Sequence, residues 1–592
     1  MSEKDQATSS TPVTSTEQSK GADVSGVSRR RFLGSIGGAA AVAAIGAAGG
    51  IAVGAKVGQA GAEDDLEAIG DASSATAATL RRDASFKFRV DAATFNKGLT
   101  LPDHTTNGDE ALYPSKIGSY SKGLPHNRYG EVDSYAWSTF MAALNSGSPA
   151  AFENIVMGGG RPLVNPQSGL ALDLEGADSH AMATLLPPPA LSSSEEAAEM
   201  VEHYWMALLR DVSFDDYDNN SLVDAAVTDL NKLSTADFKG PRESGKVTAQ
   251  TLFRDPFPGQ AVGPYISQFM LLSTPFGAQF VENRSRTFLP GSDHMTSYSE
   301  WLTVQNGGVL GSIAYDPTRR YIRNGRDLSA WVQNDVLFQA YFNAGLILIT
   351  PPNASDGQTG GFGAPLNPGN PYAHSRTQAG FGTFGAPGIL GLMCEVATRA
   401  LKATWYQKWF VHRRLRPEAF GGLVHVQRTK NRWPGVLHPN ILNAPVLDRV
   451  YSKYGTYLQP QAFPEGSPTH GSFTAGHATV AGACVTVLKA LFDERAVIKN
   501  PVQVTPDGLA VVPYNGPELT IGGELNKLAS NVATGRNIAG VHWRSDSVQS
   551  MLLGEKLAIS IMRDQAAGFN ETREGFYKGQ TFTKFDGTKA TV

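Results

Sequence analysis

Apolar residues recur along much of this chain at intervals of three and four, the period of a helix that buries one face. Residues 133–144 place Tyr135, Trp137, Phe140 and Met141 near that spacing. The clearest case is 192–212. Ser192 with Glu195 three positions on makes a capping box, acids fill the first turn, and Met200, Tyr204, Ala207 and Leu208 form a stripe. Further helices are predicted over 221–233, 263–272, 297–310 and 327–349, and from Ile389 the apolar period hardly stops until Met562. Strand-like alternation is confined to about 280–288 and 510–512. The pattern predicts a mainly α protein.

Two segments break the period. Residues 86–130 are rich in Asn, Gly, Pro and Tyr and read as an extended arm over the surface. Residues 351–388, rich in Gly, Pro and Asn with few charges, read as a rim beside the chemistry that follows them in sequence. Glu199 and His203 stand i, i+4 on one helix, a spacing a metal can use, but no second pair accompanies them, so they read as surface or packing residues. Residues 463–492 run from a Pro- and Gly-broken loop into a buried helix. His470 lies in the loop and His477 in the first helical turn, where free backbone N–H groups and the helix dipole favour an anion. Taken alone, this junction reads equally as an ordinary helix start.

Composition narrows the class. With 41 % apolar and 18 % charged residues among 592 and a formal charge of −4, the chain suits a soluble globular protein and offers no basic field for nucleic acid. Residues 1–27 are polar without period, a composition that leaves a segment disordered. Ser28-Arg29-Arg30-Arg31-Phe32-Leu33-Gly34 and the Gly- and Ala-rich stretch after it resemble a twin-arginine export signal. A membrane anchor is the alternative. The small residues make a weak span, so export to the periplasm or outside is expected, with no stable span in the mature protein. The chain divides into the lead and signal at 1–62, an N-terminal helical region at 63–388 and a C-terminal helical region at 389–592, the last two forming one unit. Cys394 and Cys484, each within an apolar helical pattern, are expected as buried free thiols.

Three blocks carry candidate chemistry. Residues 405–418 hold Lys408 near a helix end and Arg416 just before Pro417, two cations able to converge. The loop and helix start hold His470, Gly476 and His477. Residues 533–546 hold Arg536, then His542 and Asp546 at i, i+4, so that the carboxylate can take one ring N–H and leave the other nitrogen free. In order they read Lys-x7-Arg-Pro, His-x4-Ala-Gly-His and Arg-x5-His-x3-Asp. This resembles the vanadium-dependent haloperoxidases, whose oxyanion site is shared with a superfamily of acid phosphatases. PEAFGGLVH at 417–425, FPEGSPTH at 463–470 and GRNIAGVHWRSD at 535–546 resemble the bromoperoxidase branch and its bacterial relatives. The likeness is most specific over 389–562 and extends weakly to VEHYWMALLRDV at 201–212.

The resemblance implies two helical bundles, a homodimer and a vanadate cofactor. It implies that Lys408, Arg416, Arg536 and the Gly476 N–H hold vanadate oxygens. His542, oriented by Asp546, would be the vanadium ligand; His477 would be the general base toward hydrogen peroxide, with Lys408 polarising that peroxide for attack by a halide. His470 matches the extra histidine of bromoperoxidases. Bromide is favoured, chloride remains open, and an organic compound accepts the halogen. The family commonly has Ser where this chain has Ala475, which removes one hydroxyl from the cradle; Thr474 or Ser472 can substitute for it. A phosphatase with His542 as nucleophile, a vanadium-free acid–base relative acting on a natural product and a non-catalytic anion binder are the competing readings.

Overall fold

Most segments with a helical period are helices in the computed structural model, which describes residues 75–174, 183–352 and 361–592. The expected lead and export signal, 1–62, lie outside the described residues. In chain order the helices used below are α1 (Ala75–Lys97), α2 (Ser134–Ser146), α3 (Ser194–Leu208), α4 (Gly325–Asn334), α5 (Gln339–Ile349), α6 (Ala386–Tyr406), α7 (Pro417–Lys430), α8 (Gly476–Leu491), α9 (Ile521–Ile538) and α10 (Arg544–Ala567). Sheet among the described residues is limited to three antiparallel hairpins: Thr274–Phe276 with Gln279–Val281, Val502–Val504 with Val511–Pro513, and Thr581–Thr583 with Lys589–Thr591. No helix among the described residues is long and apolar enough to cross a membrane.

At the centre is α8, with all of its residues buried except His477. It packs against α6, α9 and, most closely, α10. The α8–α10 crossing depends on two glycines. A Cβ on Gly482 would stand 2.2 Å from the Met551 carbonyl oxygen, and one on Gly554 would stand 2.0 Å from that of Thr479, so each helix lacks a side chain where the other's backbone passes. Since α8 is buried on nearly every side, a single amphipathic stripe was never available to it.

Several boundaries differ from those predicted, each for a physical reason. The cap of α3 is Ser193, not Ser192: its side chain accepts from Glu196 N, and this register buries Glu196 completely. The predicted helix over 263–272 shrinks to a 3₁₀ turn at Gln268–Met270, because side chains of α9 take its backbone donors, Asn531 from Ser267 N and Glu524 from Gln268 N, both at 2.8 Å. Residues 86–97 of the expected arm belong to α1. The predicted 327–349 helix is two helices, broken after Asn334, where Asp335 turns extended.

The 351–388 segment is irregular over its described part, 361–385, but it is not a rim of the anion site. Ala364 N donates to Leu348 O and Asn367 N to Leu491 O. That is the C-terminal end of α8, roughly 22 Å along the helix from Gly476. Glu199 and His203 pack inside rather than at the surface, each at most 2 % exposed. Both cysteines are free; Cys484 is buried and Cys394 half-buried.

Candidate active site

The site forms where α6 ends, α8 and α10 begin and α9 ends. After Tyr406 the helix widens into a π-helical turn, Gln407–His412, which carries Lys408 inward. The chain leaves through Arg413 in the left-handed region (φ 41°), and Arg416 becomes the extended residue that opens α7 at Pro417. The helix therefore stops three residues earlier than the proline alone requires. Lys408 is fully buried, and its Nζ donates to the carbonyls of Gly471 (2.9 Å) and Ser472 (3.1 Å).

Arg416 gathers the histidines. Its Nη1 reaches Val541 O (2.6 Å) and His542 Nε2 (3.0 Å), and its Nη2 reaches His470 Nδ1 (2.8 Å). A guanidinium only donates, so both ring nitrogens accept. For His542 this leaves the proton on Nδ1, which donates to Asp546 Oδ2 at 3.0 Å. Burial, then Arg416, Lys408 and Arg536, hold the His542 pKa well below the usual histidine value, so the ring is a neutral lone-pair donor. Ligation through Nε2 requires the Arg416 donor to turn toward an oxygen of the ligand group.

Arg536, at the last turn of α9, donates from Nη1 to Val332 O (3.0 Å), while its buried Nε has no partner. Its pKa is pulled down to about 10, by burial acting against Asp335 and Glu465, and burial likewise takes Arg416 to about 10. Lys408 is lowered well below its usual value by burial and then by Arg416. Three buried cations that oppose one another are a costly arrangement unless a multiply charged anion joins them. Gly476 N starts α8 beside them, and an added Cβ there would meet Trp405 at 3.3 Å. Ala475, the N-cap, makes no side-chain cap bond. Among the described residues no cluster of three or more His, Cys, Asp or Glu side chains offers a site for a metal cation.

His477, the least buried member, places Nε2 3.0 Å from Asp335 Oδ1. A cavity of about 280 Å³ lies in front of His477 and Arg536, bounded also by Arg161, Asp335, Phe463 and Glu465. All eight sequence-predicted residues thus lie on the segments that converge here; His470 also packs on Trp405, ring centroids 4.9 Å apart.

Sequence reasoning missed the groups behind them. Asp335 is a lone acid at a break in an apolar pattern, which was its only signal. Asp546 Oδ1 accepts from Arg414 Nη1 (2.8 Å), and Arg414 in turn pairs with Glu196 and Glu199 of α3. Ser472 Oγ and Trp543 N also donate to Asp546 Oδ2. Burial raises the Glu196 pKa and takes that of Glu199 to about 7, against the pull of Arg414. On the other flank Lys122, from the extended arm, donates to Glu418 Oε1 (2.6 Å), Glu465 O (2.8 Å) and Ser467 O (2.6 Å). Ser467 N and Oγ complete Glu418 at 2.8 and 2.7 Å. The N-terminal region thus clamps the loop that leads to His470.

Buried cations, a helix start and an oriented neutral imidazole, all at the ends of packed helices, define an oxyanion-binding helical-bundle protein. Residues 392–570 match the model of the VCPO second helical-bundle domain. The chain is 35 % identical to a vanadium-dependent bromoperoxidase of Corallina pilulifera, covering 86 % of this chain and 98 % of that one. It is also 35 % identical to a vanadium-dependent bromoperoxidase of Ascophyllum nodosum, over 87 % and 93 %. The solved structure of a second vanadate-dependent bromoperoxidase of Ascophyllum nodosum, described as homohexameric, superposes with a TM-score of 0.81 at 34 % identity, covering 87 % of this chain and 90 % of that one. The chain belongs to the vanadium-dependent haloperoxidase family.

Proposed function

We propose that this protein oxidises a halide, bromide first, with hydrogen peroxide, giving hypohalous acid or its equivalent for transfer to an organic acceptor. The observation that carries this is the neutral His542, oriented by Asp546 among three buried, mutually repelling cations, in a chain 35 % identical to bromoperoxidases over most of its length. Vanadate, when bound, supplies a Lewis acid that activates peroxide without itself changing oxidation state.

The protein's own residues do the rest. His542 offers Nε2 because Nδ1–H is given to Asp546. Lys408, Arg416 and Arg536 neutralise the oxyanion, the guanidiniums through forked donors, and the Gly476 N–H adds one bond at the helix start. With its Nε2–H directed at Asp335, His477 keeps Nδ1 as the base that takes a proton from hydrogen peroxide and returns it as water leaves. Lys408 donates to the peroxide oxygen that bromide attacks, and His470 closes the cradle on Arg416. The balance is peroxide, bromide and a proton giving hypobromous acid and water.

The test is bromination of a β-diketone by purified protein with and without added vanadate. His542→Ala abolishes the vanadate-dependent rate, and Asp546→Asn weakens it less, because one change removes the ligand and the other its orienter. Undiminished activity in the His542 variant would overturn the assignment.

Export through the twin-arginine route is part of the same reading, supported by Arg29-Arg30-Arg31-Phe32-Leu33 before a Gly- and Ala-rich stretch. Replacing Arg29 to Arg31 by Lys should retain the protein in the cytoplasm. Self-association, at least to a homodimer, is supported by the homohexameric relative, and light scattering that finds only monomer would overturn it.

A further inference from the structure

Four charged side chains besides His477 bound the cavity in front of the site: Arg161, Asp335, Glu465 and Arg536. Asp335 faces His477, and Arg536 belongs to the cradle. Glu465 Oε1 accepts from Gln333 Nε2 at 2.6 Å. Arg161 is different. Its Nη1 donates to the Glu465 carbonyl oxygen at 3.0 Å, but its Nε and Nη2 have no hydrogen-bond partner among the described residues, and no carboxylate there lies within ion-pairing distance.

Backbone bonds hold Arg161 in place. Arg161 N donates to Gly307 O (3.1 Å) and Val164 N to Thr469 O (3.0 Å), so the segment is latched beside the loop that ends at His470. The rest of the wall sets the apolar side chains of Val332, Leu337 and Phe463 beside the Gln333 amide. A guanidinium is weakly hydrated, and so is a large polarisable halide such as bromide. Apolar side chains beside an unpaired guanidinium edge therefore suit such a monoanion better than a strongly hydrated one. The two carboxylates repel an anion, which leaves the free edge of Arg161 as the place for it outside the cradle.

Building on the halide-oxidising reading above, we propose that Arg161 forms a halide-recruiting site in this cavity, distinct from the oxyanion cradle, which holds bromide before it reaches the peroxide at His477 and Lys408.

In the vanadate-loaded enzyme, Arg161→Gln should raise the KM for bromide about 3–10-fold, with kcat and the KM for peroxide unchanged. Arg161→Lys, which keeps the charge and loses the fork, should fall between. Crystals soaked in bromide should show an anomalous peak at the Arg161 guanidinium, absent from the Gln variant. An unchanged bromide KM in a fully active Gln variant overturns the proposal, as does a soak with no peak at Arg161. A KM that moves only for carboxylate-bearing acceptors also overturns it, since the anion is then the acceptor's. Absence of bromide-dependent turnover in the wild-type protein would instead sink the halide-oxidising reading, and the soak still decides the anion site.

Discussion

Position 475 differs from the expected cradle by a single hydroxyl. The family's serine hydroxyl is missing, and the two candidates to replace it are unequal. Ser472 Oγ is already committed to Asp546, whereas Thr474 Oγ1 is buried without a partner. Ala475 is also the N-cap of α8 and leaves that role unfilled. Ala475→Ser should therefore act twice. A hydroxyl at an N-cap stabilises a helix by about 1 kcal/mol, raising the melting temperature of the cofactor-free protein. The same group donating to a cofactor oxygen should lower the half-saturating vanadate concentration by about 2–10-fold. Calorimetry and vanadate titration separate the two effects. A tighter cap with unchanged titration would mean that residue 475 does not face the anion.

Among the elements, α3 does more than its sequence suggests. Its Glu196 and Glu199 hold Arg414 against Asp546, and its His203 stacks edge-on against Trp543, centroids 5.2 Å apart. Burial lowers the His203 pKa to about 3. Below the ordinary histidine pKa of 6.5 the unfolded chain binds a proton that the native ring refuses. Stability from this residue thus rises with pH from about 3 to 6.5 and is lost as pH falls through that window. Glu199, raised to about 7, works with the opposite sign, losing stability as pH rises from 4.5. Because both wild type and variant keep Glu199, a comparison isolates the histidine. His203→Phe, which retains a ring against Trp543, should lose about 2 kcal/mol less stability than wild type between pH 7.5 and 5, measured by urea unfolding. Equal losses would show that His203 does not titrate with folding.

At the scale of the whole molecule, Lys122 ties the N-terminal arm to the loop that leads to His470. Lys122 and Glu418 are both buried and share hydrogen bonds with Glu465 and Ser467. Burial lowers the Lys122 pKa to about 8, with Glu418 opposing. Lys122→Met leaves Glu418 charged and unpaired inside the protein, which costs about 3–5 kcal/mol. Thermal unfolding should register that loss, and the Lys122→Met, Glu418→Gln double variant should recover part of it. Additive losses in the double variant would contradict the tether.

The eight candidate residues stood out through short spacings, i, i+4 on a helix for His542 and Asp546, a Gly-His pair at a helix start, cations beside a proline, and the resemblance to the haloperoxidases gave them their expected roles. The mainly helical class was legible for a similar reason, since period and capping are local. Only the tertiary structure decided that Asp335 meets His477, that Arg414 links α3 to Asp546, and that Lys122 reaches Glu418 across 296 positions. These partners are distant in sequence, and a buried charge shows no local sign of what will neutralise it. The misplaced rim has the same origin. A loop that precedes the chemistry in sequence lies, once α6 has run its 21 residues, at the opposite end of the bundle. A helix carries the chain away from where it began, so nearness in sequence to a site fixes nothing about nearness in space.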